Sequence, residues 1–378
     1  MSKSIGIIDA DLIRRKGHSF PNLACMKLSG YHKELGDNTE LLLNYNTIDN
    51  YDLVYISKAF TDTILTGTIL DESILKKTIH GGTGFFFDSA PNLPDEIEHH
   101  IPDYHLYDNW VKIMETKGLE RIRLEYYKDY SIGFTTRGCF RKCEFCVNKK
   151  YDKVFFHAHV KEFFDPSRKK ISLWDDNILG YSRWREVFDE LIETGYPFQF
   201  KQGMDIRMMT EEKAKVISSC KYLGDYIFAF DNIEDKETII KQLRMWRKYV
   251  NPKRRTKLYV FCGFDRNNRF DEEFWEQDIT DVFERIKILM EYGCLPYIMR
   301  YKECDGPYRD VYQTIKTWCN FVPNYMKKSF RQYCIIQAEA KRNPEINALK
   351  KMEEKYPEIA KKYFDLRRED LLLDQEWK

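Results

Sequence analysis

The sequence predicts an α/β protein: a small doubly wound N-terminal domain, then an open (β/α)6 partial barrel, then a C-terminal helical segment. Three observations predict it. Short β-branched and aromatic runs alternate with amphipathic stretches long enough to return each strand parallel to its predecessor. Between residues 131 and 300 this unit repeats six times, where a closed barrel takes eight. Between the two regions, from about Ala90, the texture changes to Pro, Asp, Glu, His and Tyr (PNLPDEIEHHIPDYHLYDNW). The expected domains are therefore 1–90, a linker or covering segment 91–128, the barrel 129–320 and the helical segment 321–378.

In the first domain, residues 5–9, 39–45 and 51–60 read as strands, and 20–35 carries a mixed apolar pattern ending before a Gly-Asp-Asn turn. A further apolar run, 84–87, follows Gly81, Gly82 and Thr83. A helix is expected near 110–117. In the barrel the strands are expected at 131–136, 170–174, 198–201, 226–230, 257–261 and 296–300. Helical patterns fill 182–195, 210–220, 235–250 and 271–293. The stretch KKMEEKYPEIAKKYFDLRRED reads as charged helices packed outside the sheet.

Composition excludes several classes. Of 378 residues, 43% are apolar and 15% aromatic, which is a globular balance rather than a disordered one. Lys and Arg total 61 against 60 Asp and Glu, so no general attraction to nucleic acid or to an anionic membrane is implied. No apolar run approaches the ~20 residues that span a bilayer, and MSKSIGIIDADLIRRKG lacks the apolar core of a signal peptide. A cytoplasmic protein is expected. Its ten cysteines then need a reducing-compartment explanation. Seven are scattered singly, whereas Cys139, Cys143 and Cys146 crowd into eight residues, as metal or redox chemistry requires.

These three, in TTRGCFRKCEFC, have the spacing C-x3-C-x2-C and directly follow the first barrel strand. Loops at the carboxyl ends of parallel strands are where α/β folds place their chemistry. Three thiolates can hold three irons of a cubane and leave the fourth open to an external ligand. The alternative is a zinc site completed by His157 or His159, although structural zinc sites usually pair cysteines on two knuckles and here there is one. Without that role the two histidines are surface or substrate-lining residues.

C-x3-C-x-aromatic-C, with Phe145 at the aromatic position, after a first strand and before five more βα units, resembles the radical S-adenosylmethionine (SAM) superfamily. The resemblance implies a [4Fe-4S] cluster on Cys139, Cys143 and Cys146, with SAM chelated at the open iron. It also implies a reducing electron donor such as flavodoxin or ferredoxin, and reductive cleavage of SAM to methionine and a 5′-deoxyadenosyl radical. On the second strand, Asp175, Asp176 and Asn177 stand where acceptors for the SAM ammonium are expected, or else cap the following helix. Gln202, Asp205 and Arg207 on the third strand point to the same cavity, unless one merely pairs with another. Strand-end stretches AFDN, CGFD and PYIMRY add Asp231, Asp265 and Arg300, with His157 and His159, as substrate-binding candidates. Met299 lies beside the cofactor adenine or in the core.

The N-terminal domain resembles the Rossmann-like cobalamin domain carried by one branch of that superfamily, in strand order and in IHGGTGFFF. It departs where cobalt is ligated: D-x-H-x-x-G should follow the first strand, yet DADLIRRKGHSFPN stands there. The only D-x-H is Asp103-Tyr104-His105, in the linker, with Asp108 where Gly is needed. No cobalamin is expected, or cobalamin without histidine, and methyl transfer falls with it. As a whole chain, rather than residue by residue, the sequence is similar to the queuine lyases. That implies carbon–nitrogen cleavage of a 7-deazaguanine nucleobase, queuine, to 7-aminomethyl-7-deazaguanine. Two alternatives stay open: a radical SAM enzyme that modifies RNA or a peptide, and a zinc-stabilised binding protein with no catalysis. The stretch KQLRMWRKYVNPKRRTK, with eight basic residues in seventeen, could meet RNA, but such runs are more often solvated helix ends.

Overall fold

The computed structural model describes residues 2–15, 18–65, 76–301, 304, 306–340 and 343–373. The chain forms two compact units, Met1–Asp176 with Tyr181–Phe198, and Asn177–Gly180 with Gln199–Lys378. Both are mixed α/β with parallel sheets.

In the first unit, β1 (Ser4–Asp9), β2 (Asn38–Leu41), β3 (Leu53–Ser57) and β4 (Thr78–Gly81) form a parallel sheet in the order β2-β1-β3-β4. β1 is buried along almost its whole length, as a strand covered on both faces must be. The helix Leu23–Glu34 starts where the Asn22 side chain accepts from the Cys25 N–H at 3.2 Å. The strands expected at 39–45 and 51–60 are shorter, and the apolar run 84–87 is not a strand. Thr83–Phe86 is helical and β4 precedes it. The cause is a close crossing: Gly82 has φ +100°, and a Cβ there would stand 2.3 Å from the Lys58 carbonyl oxygen.

Segment 91–128 carries helices Asp95–Glu98, Asp108–Thr116 and Arg121–Lys128. Its Tyr104, Tyr107, Trp110, Leu124 and Tyr127 share one core with Ile5, Ile7, Met26 and Leu28. The helix at 121–128 escapes the sequence pattern because RIRLEYYK buries only Leu124 and Tyr127.

The strand expected at 131–136 divides. β5 (Tyr130–Gly133) stops at a glycine whose Cβ would lie 2.3 Å from the Phe163 ring. The chain then enters β6 (Thr136–Arg137), which pairs antiparallel with β7 (Phe155–Phe156). β8 (Lys170–Leu173) lies parallel to β5, and β9 (Phe198–Phe200) follows β8 in the sheet. The helix Trp184–Glu193 buries Trp184, Val187, Phe188 and Leu191, the i, i+3, i+4, i+7 stripe of an amphipathic helix.

In the second unit, β10 (Tyr226–Ala229), β11 (Thr256–Cys262) and β12 (Leu295–Arg300) are parallel and adjacent in that order. Met204, just after β9, makes an isolated parallel bridge to Phe228. Helices Glu211–Ser219, Lys236–Tyr249 and Glu272–Glu291 separate the strands. These strand bounds agree with the expected ones to within two residues. Beyond β12, helices from Arg309 to Leu371 bury Trp318, Tyr325, Phe330 and Tyr333. Among the described residues no helix is long and apolar enough to cross a membrane.

Candidate functional site

Cys139, Cys143 and Cys146 lie half-buried on the loop that β6 and β7 close at its base. Among the described residues no cysteine is in a disulfide. The Cys139 sulfur accepts from the Arg141 N–H at 3.5 Å and the Cys146 sulfur from the Asn148 N–H at 3.4 Å. Such N–H···S contacts favour thiolate, the form that binds metal. With no metal present, burial pushes the Cys146 thiol up, and Cys139 and Asp176 add to that. Gly138 opens the loop at φ +86°, where a Cβ would stand 2.3 Å from the Lys153 carbonyl oxygen. Lys142, within the loop, also has a positive φ of 48°. Phe145 is half-buried beside Cys146.

The end of β8 holds the root of this loop. Asp175 Oδ1 accepts from Thr135 Oγ1 at 2.6 Å, Thr136 N at 2.5 Å and Thr136 Oγ1 at 2.7 Å, while Oδ2 accepts from Thr135 N at 3.1 Å. Burial raises the Asp175 carboxyl, and these four donors oppose the rise. Asp176 Oδ2 accepts from Gly138 N at 2.7 Å. The two threonines that donate to Asp175 escape the sequence pattern; their signal is the paired Thr in TTRGC, which a strand-forming run conceals.

His157 and His159 face carboxylates. His157 Nε2 lies 3.0 Å from Glu98 Oε1, which also accepts from Lys27 Nζ at 2.9 Å. Burial alone would raise Glu98, but His157 and Lys27 bring it down to about 2. His159, mostly exposed, has Nδ1 3.3 Å from Glu190 Oε2.

The other candidates belong to the second unit. Asn177 is buried, and its carbonyl accepts from Gly180 N. Gln202 is exposed. Arg207 meets Asp205 in a forked pair, Nε to Oδ1 at 2.7 Å and Nη2 to Oδ2 at 3.3 Å, and reaches Asp235 with Nη1 at 2.5 Å. Asp265 folds its own loop, with Oδ1 accepting from Asn267 N at 2.9 Å and Oδ2 from Arg269 N and Phe270 N at 2.8 Å. Met299 is exposed, and Arg300 donates to the Cys304 carbonyl. Asp231, just beyond β10, accepts one hydrogen bond, from Phe261 N at 3.2 Å. Burial raises its carboxyl to about 6 against the pull of Arg285 and Arg207.

Arg285 is the second omission of the sequence reading. Only 2% exposed, it donates through Nη1 to the carbonyls of Phe230, Asp231 and Phe261 at 2.7–3.1 Å, joining the ends of β10 and β11. Asp278, two turns earlier on the same face of the helix, accepts from Gly263 N and Tyr312 Oη. Two charges on the apolar face of Glu272–Glu291 were the available signal. In the basic stretch, Arg244 and Arg247 bond Tyr292, Arg254 bonds the carbonyls of Tyr222 and Gly224, and Arg255 and Lys257 pair with Asp225. Lys241, Lys248 and Lys253 are the exposed remainder.

No family model and no curated protein matches the chain. Solved structures of the cobalamin-dependent SAM radical enzyme OxsB are distantly similar to it. The form with aqua-cobalamin and SAM bound is 14% identical, with TM-score 0.38, and the alignment covers 79% of this chain and 49% of that one. The form with aqua-cobalamin alone is 15% identical over the same shares, with TM-score 0.36. The chain thus spans about half the length of the structures it matches.

Proposed function

We propose that this chain is a radical SAM enzyme, with Cys139, Cys143 and Cys146 as the ligands of a [4Fe-4S] cluster. The observation that carries this is the cysteine loop itself. Three half-buried thiols sit at C-x3-C-x2-C behind the first of six strands, on a loop with a closed base and N–H donors to two of the sulfurs. When bound, the cluster and SAM supply reductive cleavage to methionine and a 5′-deoxyadenosyl radical. Among the described residues no three His, Cys, Asp or Glu side chains converge on one metal ion. The parallel orders β5-β8-β9 and β10-β11-β12 support the six βα units that a partial barrel of this kind needs. The order β2-β1-β3-β4 supports a Rossmann-like N-terminal domain.

For the substrate we propose queuine, cleaved at its carbon–nitrogen bond to 7-aminomethyl-7-deazaguanine. A 7-deazaguanine edge needs a carboxylate with acceptor capacity to spare. Of the five aspartates considered, Asp175, Asp205 and Asp265 each accept several donors from the fold and Asp176 bonds the loop backbone. Asp176 and Asp231 each accept one donor and keep one oxygen without a hydrogen bond; Asp176 is engaged at the root of the cysteine loop, so Asp231 is the residue assigned here to the base. The electron donor is of the flavodoxin or ferredoxin kind, and the compartment is the cytoplasm.

Cobalamin held by histidine is not part of the proposal. Asp9, at the end of β1, accepts from Tyr107 Oη at 2.9 Å. Asp103 is engaged by Ser29 and Lys33, and His105 by Asp108. Added aquacobalamin is expected to keep its free absorption spectrum; a shift on mixing with the protein would overturn that part.

The test is mass spectrometry of the anaerobically reconstituted protein with SAM, dithionite and queuine, omitting each in turn. 7-Aminomethyl-7-deazaguanine and 5′-deoxyadenosine appearing together are expected. 5′-Deoxyadenosine with intact queuine removes the substrate, and one zinc per chain without iron or sulfide removes the radical chemistry.

A further inference from the structure

We infer that Asp175 is a positioning residue that holds the root of the cysteine loop, rather than a ligand of the cofactor. This rests on reading the three cysteines as iron ligands. A carboxylate has about four lone-pair sites, and Asp175 directs them at four donors of two adjacent threonines, at 2.5–3.1 Å, with 3% of its surface exposed. Oδ1 takes three of these donors and Oδ2 the fourth, so both oxygens of this buried carboxylate are committed to the loop root. Its neighbour Asp176 adds one bond to Gly138 N, the residue before Cys139. The pair therefore grips residues 135, 136 and 138 from the end of an adjacent strand, and the chain turns into the loop at a glycine that admits no side chain.

The two aspartates answer differently to amide substitution. In Asp175→Asn one acceptor oxygen becomes an NH2 directed at N–H and O–H donors, so at least one charge-assisted bond is lost and donors face each other. In Asp176→Asn the single acceptor to Gly138 survives through the amide oxygen. A cofactor-binding carboxylate would show the reverse: an ordered loop, an intact cluster and a lost response to SAM.

The test uses the full chain as wild type, Asp175→Asn, Asp176→Asn and the double variant Thr135→Val with Thr136→Val, which removes two of the four donors. Three quantities are measured: amide hydrogen exchange over residues 134–156 in metal-free protein, iron and sulfide after anaerobic reconstitution, and the change in the reduced cluster's EPR signal on adding SAM. Asp175→Asn is expected to speed exchange across 134–156 about tenfold or more, the equivalent of one lost charge-assisted hydrogen bond, and to bind less than about half the wild-type iron. The threonine variant is expected to do the same to a smaller degree, and it decides the matter if Asp175→Asn does not fold. Asp176→Asn is expected to stay near wild type in both. Wild-type exchange and full iron in Asp175→Asn, with the EPR response to SAM abolished, would overturn the inference. If the wild type binds no iron, the cluster reading fails by itself, and the exchange comparison in metal-free protein still decides what Asp175 holds.

Discussion

Two aspartates, each just past the end of a parallel strand, one buried and one half-buried, differ in how many donors the fold aims at them. Asp175, beyond β8, accepts from four donors of Thr135 and Thr136, three on Oδ1 and one on Oδ2. Asp231, beyond β10, receives one N–H, and burial has lifted its carboxyl to about 6. In the sequence the two look alike: an acidic residue closing a β-branched or aromatic run. Acidity at a strand end is therefore a poor guide to a ligand site by itself. The count of donors already aimed at the carboxylate separates a group that builds the scaffold from one that can receive a ligand.

Cys143→Ala should separate the two regions most strongly. Loss of one iron ligand on the loop is expected to lower reductive SAM cleavage at least about a thousandfold, while the thermal unfolding of the metal-free chain stays near wild type. An unchanged rate would contradict the cluster assignment. Next in size is Arg285→Met, which strips three strand-end carbonyls of their donor. It should lower stability in urea by about 2–4 kcal/mol, and a cost near zero would mean that water replaces the guanidinium.

Asp231→Asn tests the other side of the comparison through pH. The Asp231 carboxyl is raised in the folded protein, so the native chain holds this proton more tightly than the unfolded chain, and Asp231 costs stability as pH rises from about 4 to 6. The amide removes that cost. The melting temperature of the variant should exceed that of the wild type at pH 8, by about 1–2 kcal/mol of stability, and match it at pH 4. An equal shift at both pH values would mean that the carboxylate is not perturbed in this way. The smallest effect is expected from Lys248→Ala with Lys253→Ala. Both side chains are exposed, and stability should move by less than about 0.5 kcal/mol, with RNA retention in a gel shift as weak as that of the wild type.

Much of this was readable from local pattern. Five of the six strand positions emerged from short apolar runs, the first of the six being split into β5 and β6, and the three cysteines were legible as a cluster on the loop after it. What escaped depended on partners distant in sequence. No window around Thr135 contains Asp175, and nothing near Phe230 or Phe261 announces Arg285. The helix at Arg121–Lys128 was hidden by burying only Leu124 and Tyr127, while its remaining aliphatic residue, Ile122, is exposed. The basic stretch misled through valence, because five of its eight cations already have partners inside the fold.

The forty residues separating Thr135 from Asp175 also set an order of events during synthesis. The β6–β7 closure needs the chain only as far as Phe156, whereas the aspartates that grip the root arrive with the end of β8. At about 5–20 residues per second, the threonines wait roughly 2–8 s for their acceptor. During that interval the three thiols have left the ribosome on an unanchored segment, open to oxidation and to stray metal. Chains truncated shortly after Phe156 and displayed clear of the ribosome on a flexible linker should therefore alkylate at Cys139, Cys143 and Cys146 faster than chains displayed through Asp176 and beyond, which places the exposure of these thiols in translation.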